Sequence, residues 1–339
     1  MFNNHLEKVV SREDLTLNEM EFAMDQIMEG KTTDSQLAGF LVGLRMKGET
    51  ISEITGAASV MRSKAAQVDT AATDLIDSCG TGGDGKGTFN ISTTTAIVMA
   101  AGDLNVAKHG NRSVSSKCGS ADLLETLGVK IDLNPKEAAK CLEEVGISFL
   151  FAPNFHQAMR YAVGPRKEIG LRTIFNILGP LTNPAKTDYQ ILGVYKEELV
   201  EPLAHVLKNL GLKSAMVVHG AGGIDELSLA GLNKTAYLKD GEIKEYNFYP
   251  EEAGLNQAPL KEILGGGAAE NKRITLDILE GRTGPKRDVI LLNSAAAFLV
   301  ARKTKNLKEG VKLATNLIDS GKAKSKLEEL IKCSNEVAL

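Results

Sequence analysis

Leu37, Phe40, Leu41 and Leu44 fall at i, i+3, i+4 and i+7, so DSQLAGFLVGLRMK carries one apolar face and reads as a helix. Across the first 66 residues a Ser or Thr is followed three residues later by Glu or Gln at Thr16/Glu19, Thr33/Gln36 and Thr50/Glu53. That spacing lets hydroxyl and side-chain acceptor satisfy free amides reciprocally, so each pair marks a helix start. Gly30 and Gly48 follow the first two of these helices as left-handed caps. A small all-helical domain over 1–70 is expected.

From about residue 73 the texture changes to short apolar runs separated by Gly-rich turns and helix-length segments: LIDS, NVAK, FLFA, QILGV, AMVVH and VILLN. Such runs read as buried strands of a largely parallel sheet, an α/β architecture. In TAYLKDGEIKEYNFY, Asp240-Gly241 sits between two strand-like runs as a type I′ turn signal, so one antiparallel hairpin is expected. The segment 164–188, including GPRKEIGLRTIFNILGPLTNPA, is helical with Pro-Gly punctuation and is expected to pack back on the N-terminal helices. Residues 71–163 and 189–339 would then form the α/β domain, with a cleft between the two parts. GGGAAENK reads as a flexible surface turn.

Composition changes this picture little. At 339 residues the chain suits two unequal domains. Its 40 Lys plus Arg against 43 Asp plus Glu give a net charge of −3, so no global basic field points to nucleic acid and any anion site must be local. The four cysteines lie far apart with no C-x-x-C spacing, which argues against zinc and a disulfide framework and suits a reducing cytoplasm. No run approaches the roughly 20 apolar residues of a membrane span, and no signal peptide is visible.

The chemistry concentrates in four stretches. In CGTGGDGKGT, five glycines occupy eight positions from Gly80 to Gly87. Their amides can form an anion-binding concavity at a strand-to-helix turn, although a tight connection would use glycines too. Gly80, Gly85 and Lys86 approach the P-loop pattern, but Gly87 stands where a metal-binding hydroxyl is required, which disfavours an ATPase. Asn90, Ser92, Thr93 and Thr94 follow at a polar density that suits ligand contacts better than helix caps.

KHGNRSVSSKCGSAD presents Lys108, His109, Arg112 and Lys117 with serines at 113, 115, 116 and 120. Cations and hydroxyls at a strand end can clamp phosphate oxygens, each close charge pair being worth roughly 4 kcal/mol at an effective dielectric near 20, before desolvation. A solvated basic loop is the alternative, disfavoured by the strand-end position, and His109 earns no general-base role from sequence. In HQAMRYAVGPRKEIG, Met159 at i+3 from His156 is equally at home in a core, whereas Arg166 can meet a carboxylate bidentately. In VVHGAGGIDELSL, Asp225-Glu226 is either a solvated helix start or, beside a polyphosphate, a pair of magnesium ligands.

GTGGDGKGTFNIST, KHGNR, the block from HQAMRY to GPLTNP, and GGIDE occur in the order found in the anthranilate phosphoribosyltransferases of tryptophan biosynthesis. EGKTTDSQLAGFLVGLRMKGET also resembles the helical domain of that family. The resemblance covers nearly the whole chain. It implies the nucleoside-phosphorylase-like class of phosphoribosyltransferase, a homodimer formed through the helical part, and Mg²⁺ as cofactor. By the same resemblance, Gly80, Gly83, Asp84, Thr88, Asn90, Ile91, Ser92, Thr93, Lys108, Ser116 and Ser120 would hold 5-phosphoribosyl 1-diphosphate. Gly80, His109, Asn111 and Arg166 would meet anthranilate, with His156, Met159 and Tyr161 lining its entry. Ser92, Asp225 and Glu226 would serve the metal, and Lys108, Asp225, Glu226 and Arg166 are the residues expected to carry catalysis. A pyrimidine nucleoside phosphorylase and a non-enzymatic nucleic-acid-binding relative are the alternatives on this scaffold.

Overall fold

Each of the three capping boxes opens a helix. The computed structural model describes residues 2–113 and 117–337. Helix α1 (Phe2–Val10) is followed by α2 (Leu17–Met28), α3 (Asp34–Lys47) and α4 (Ile51–Lys64), and Thr16, Thr33 and Thr50 each cap the helix that follows. At α3 the Thr33 amide donates to Gln36 Oε1 at 2.9 Å and the Gln36 amide to Thr33 Oγ1 at 3.2 Å. Leu37, Phe40, Leu41 and Leu44 are buried, and Phe2 of α1 packs on Phe40 with ring centroids 5.3 Å apart. Gly30 has φ +69 after α2, whereas Gly48 pairs φ +89 with ψ 128 and is no left-handed cap.

The rest of the chain runs β1 (Leu75–Gly80), α5 (Ile91–Ala101), β2 (Asn105–Gly110), α6 (Ser120–Leu127), α7 (Pro135–Val145), β3 (Ile147–Phe151) and α8 (Ala152–Phe155). It continues with α9 (Arg160–Ile169), α10 (Phe175–Leu178), β4 (Tyr189–Gly193), α11 (Val200–Asn209), β5 (Ser214–His219), β6 (Lys234–Lys239) and β7 (Glu242–Glu245). Helices α12 (Ala268–Leu279), α13 (Pro285–Val300), α14 (Leu307–Asp319) and α15 (Lys322–Glu336) close it. The strands form one sheet in the order β3-β2-β1-β4-β5-β6-β7. The pairs from β3 to β5 are parallel, and the β6–β7 hairpin is antiparallel, turning at Asp240 (φ +52) and Gly241 (φ +77) as a type I′ turn requires. This is the expected mostly parallel α/β fold with a helical bundle.

VILLN is not a strand. It lies in α13, where every residue from Val289 to Val300 is buried. A helix apolar on all sides is a core helix, and a five-residue window cannot tell it from a buried strand. Pro285 at the first helical turn and Ala295 to Ala297 downstream favour the helix. GGGAAENK is not a free turn either: the Gly265 amide donates to the Gly87 carbonyl at 2.9 Å, and α12 starts at Ala268.

One face of the sheet is covered by α5 and α13, with α12 and α14 packed outside them; the other is covered by α7 at β2–β3 and by α11 and the helical bundle at β4–β6. The bundle core is continuous with that second face, because Phe40, Ile54, Ile174, Phe175 and Leu178 share one apolar cluster with Leu192, Ala215 and Val217. Strands β1 and β2 pair over only two positions, Leu75 with Asn105 and Ile76 with Val106. Beyond them Asn183 is wedged in, its Nδ2 donating to Asp77 Oδ2 at 2.8 Å and to the Ala107 carbonyl at 2.7 Å, while the His109 amide donates to Asp77 Oδ1 at 3.3 Å. The carboxyl ends of the two strands are thereby held apart.

Candidate active site at the carboxyl ends of the strands

The sheet order reverses between β1 and β4, and an open α/β sheet binds ligands outside the strand ends at such a point. The glycine loop leaves β1 there and feeds the N-terminus of α5. Gly82, Gly83, Gly85 and Gly87 all have φ between +69 and +75, a backbone that side chains rarely tolerate. Facing it, the chain after β5 crosses the ends of β1 and β4 and presents Asp225 and Glu226. Gly80 and Gly193, register partners on β1 and β4, make the crossing feasible: a Cβ on either would overlap Asp225. Asn293 of α13 fixes the segment, accepting from the Leu227 amide at 3.1 Å and donating to the Leu227 carbonyl at 3.0 Å.

The acidic pair, the glycine loop and α5 meet closely. The Gly82 amide donates to Asp225 Oδ2 at 2.6 Å and the Ser92 amide to Glu226 Oε1 at 3.1 Å, so Glu226 lies at the positive end of α5. Lys108, 3% exposed, donates from Nζ to the Ser78 carbonyl at 2.6 Å and to Ser92 Oγ at 3.4 Å. Desolvation, followed by the charge of Asp84, pushes Asp225 up to about 6. Desolvation and the charge of Asp225 push Glu226 up to about 8. Carboxylates forced against one another in this way favour a cation. Asp225, Glu226 and the Ser92 hydroxyl offer only oxygen donors, which fits a hard cation such as Mg²⁺. Among the described residues no group of three or more His, Cys, Asp or Glu is arranged to hold a metal, so further ligands would have to come from phosphate and water.

The flanks of the glycine loop are tied by side chains. Asn90 caps no amide of α5; its Nδ2 donates to the Cys118 carbonyl at 3.1 Å and its Oδ1 accepts from Asn271 Nδ2 at 2.8 Å. Thr88 bridges to Leu264, the Lys86 amide donates to Asp84 Oδ1 at 3.0 Å, and Ile91 and Thr93 lie buried in the first turn of α5. Ser120 donates to the Asn111 carbonyl at 3.1 Å, and Asn111 Oδ1 accepts from the Arg112 amide at 2.7 Å. Ser115 and Ser116 lie outside the described residues. Arg112 does not face the loop: its guanidinium pairs with Asp122 at 3.0 Å and Glu125 at 2.8 Å.

A pair of histidines lies at the end of β2. His109 and His156 are buried with ring centroids 5.1 Å apart, and the Nε2 of each has no hydrogen-bond partner. Burial, then the neighbouring His156, drives His109 down to about 3; burial drives His156 down to about 4. Both rings are therefore neutral. Arg166 of α9 stacks on Phe175 with 5.1 Å from Cζ to the ring centroid. Burial lowers its pKa, and no acidic side chain among the described residues pairs with it. Met159 packs against the bundle core, and Tyr161 fills the space beside Gly30, where a Cβ would overlap its ring.

Several residues that build this site give little sequence signal. Asn293 is a lone polar residue in an apolar run, and Asn271 follows a Gly-rich stretch. Gly193, Asp77 and Asn183 stand out only once the fold is known.

Comparison with known proteins agrees with this geometry. The glycosyl transferase family helical bundle domain matches residues 3–65, and the glycosyl transferase family a/b domain matches 72–324. The anthranilate phosphoribosyltransferase of Petrotoga mobilis is 57% identical, covering 100% of this chain and 98% of that protein. The crystal structure of anthranilate phosphoribosyltransferase from Thermus thermophilus superposes with a TM-score of 0.93 at 43% identity, over 98% of this chain and 99% of that one. The Saccharomyces cerevisiae anthranilate phosphoribosyltransferase in complex with PRPP and Mg superposes with a TM-score of 0.91 at 30% identity, over 99% of this chain and 98% of that one. With both domains matched and identity sustained from end to end, the chain belongs to the anthranilate phosphoribosyltransferase family.

Proposed function

We propose that this enzyme transfers the phosphoribosyl group of 5-phosphoribosyl 1-diphosphate to the amine of anthranilate, giving N-(5-phosphoribosyl)anthranilate and pyrophosphate. The observation that carries the reading is the meeting of the glycine loop, the α5 N-terminus and the Asp225-Glu226 pair at the strand ends. The glycine loop from Gly80 to Thr88, with Asp84, Asn90, Ile91, Ser92, Thr93, Lys108, Ser116 and Ser120, holds the donor. Asp225, Glu226 and the Ser92 hydroxyl hold Mg²⁺, which when bound neutralises charge on the pyrophosphate. Anthranilate lies toward His109, Asn111 and Arg166, with Gly80 between the substrates and His156, Met159 and Tyr161 on the entry side.

In this mechanism the amine lone pair forms the C1–N bond as the C1–O bond breaks, the electron pair of the broken bond leaves with pyrophosphate, and the proton shed by the nitrogen passes to pyrophosphate or water. The aromatic amine is uncharged at neutral pH, so the two histidines need not act as bases, in keeping with their depressed pKa values. Catalysis rests on positioning and on stabilising the departing charge. The Lys108 ammonium and the loop amides anchor phosphate oxygens, and Arg166 orients the acceptor carboxylate.

We take residues 1–70 with 164–188 as the helical unit and 71–163 with 189–339 as the α/β unit, a division supported by the packing of Ile174, Phe175 and Leu178 with the bundle. The enzyme works as a homodimer through the helical unit, in the cytoplasm; among the described residues no helix is long and apolar enough to cross a membrane. The test is anthranilate fluorescence with purified protein, donor and Mg²⁺. Loss of signal only in the complete mixture is expected. An unchanged signal from folded, donor-binding protein would overturn the acceptor and direct attention to phosphate with nucleosides.

A further inference from the structure

Arg172 has no role in the scheme above, yet it touches both halves of the molecule. It lies between α9 and α10, and its Nη2 donates to the carbonyl of Gly83 at the centre of the glycine loop. Its Cζ stacks 4.1 Å from the centroid of the Tyr195 ring. Tyr195 is itself anchored to the start of the loop, its amide donating to Thr81 Oγ1 at 3.1 Å. On the other side, Arg45 of helix α3 donates from Nη1 to the backbone carbonyl of Arg172. A continuous path therefore runs from the helical bundle through Arg172 to the loop.

Two further observations give the contact meaning. A Cβ at residue 83 would overlap the Arg172 guanidinium, so glycine at this position serves the contact as well as the backbone. Arg172 also forms no ion pair with an acidic side chain among the described residues, although acidic groups are plentiful at the site. A loop with four left-handed glycines has much conformational freedom to lose on closing around a ligand, and an interaction that orders it beforehand reduces that cost. A guanidinium is well suited to such ordering, since its edge donates to a carbonyl while its face lies on a ring, which an ammonium cannot reproduce.

We propose that Arg172 is the positioning residue that sets the glycine loop for the donor, and that through Arg45 it couples the loop to the helical bundle. The inference rests on the reading of this loop as the donor site. It does not require Arg172 to touch substrate.

The test compares Arg172→Met, Arg172→Lys, Arg45→Met and the double variant R45M/R172M with wild type, whose activity on anthranilate first checks the underlying reading. Arg172→Met should raise the KM for 5-phosphoribosyl 1-diphosphate about tenfold while the anthranilate KM moves less than about twofold. Arg45→Met should act in the same direction by about threefold, and the double variant should be no worse than Arg172→Met, as expected for residues acting in series. Arg172→Lys should rescue little. Without substrates, hydrogen exchange of the amides of residues 82–87 should quicken in Arg172→Met and Arg45→Met and stay unchanged in the α13 core, which separates loop release from misfolding. An Arg45→Met enzyme with wild-type donor KM and wild-type loop exchange overturns the coupling. A donor KM unmoved by Arg172→Met in active protein overturns the positioning role.

Discussion

The glycine-loop region and the histidine–Arg166 region differ in how their polar groups are satisfied. In the glycine-loop region, Asp225, Glu226, Lys108, Ser92 and Asn90 are bonded to one another, to loop amides or to nearby backbone and side chains. At the end of β2 two histidine Nε2 atoms are buried without partners, and on α9 the Arg166 guanidinium pairs with no carboxylate among the described residues. A self-satisfied network with crowded carboxylates suits a charged, metal-bound ligand, as proposed for the donor. Under-satisfied groups of this kind suit a ligand that brings their partners, as proposed for the acceptor carboxylate and ring.

The sharpest break in the comparison would come from Glu226→Gln. It should lower kcat by about a hundredfold or more, the size seen when a group stabilising transition-state charge is removed, and initial rates with saturating Mg²⁺ measure it. A rate within threefold of wild type would remove the acidic pair from the mechanism. Next in size, Arg166→Ala should raise the anthranilate KM by about tenfold to a hundredfold and leave the donor KM nearly unchanged. Equal changes in both constants would show that the two regions are not functionally distinct.

Acid should act on the two regions with opposite sign. His109 and His156 have folded pKa values of about 3 and 4 against an ordinary 6.5, so the unfolded chain binds protons that the folded one refuses as pH falls below 6.5. Each costs about 2 kcal/mol of stability between pH 7 and 5. Glu226, raised to about 8 from 4.5, does the reverse: the folded state is penalised as pH rises from 4.5 through 8, so lowering pH from 7 to 5 returns stability of similar order. Asp225, raised to about 6 from 3.8, adds about 1 kcal/mol to that gain, so the two carboxyls together nearly offset the two histidines and in EDTA the wild-type denaturation midpoint should change little over this range. Glu226→Gln should make it fall steeply toward pH 5, and His156→Gln should make it rise. Parallel profiles for all three proteins would refute the assignment. The smallest effect is expected away from both regions: Thr33→Ala removes a helix cap and should cost about 1 kcal/mol in urea unfolding, with both KM values unchanged.

Much of this molecule is legible in its sequence where the physics is local. A capping box involves residues three apart, and all three are visible; the Asp240-Gly241 hairpin needs only two positive φ angles in succession. The glycine loop and acidic pair are legible as chemistry because their residue types are unusual together. VILLN misleads because strand and buried helix present the same short apolar run, and GGGAAENK because its contacts lie at Gly87, far away in sequence. Arg172, Asn183 and Gly193 are invisible for the same reason: each acts across a gap that only the tertiary fold closes. Arg112 shows the converse, since a cation in a basic loop finds its partners on α6 instead.

The wedge of Asn183 between β1 and β2 bears on how the chain reaches this fold. Two rungs of pairing are a weak nucleus, and the rest of that junction depends on a residue that arrives only after the chain has passed through α9 and α10. Contacts this distant in sequence slow folding, because loop closure must precede any gain. The β1–β2 junction should thus be a late event, and a fragment lacking 164–188 should leave it open, however complete its strands. Swapping the helical part between relatives would then succeed only when the return segment travels with it.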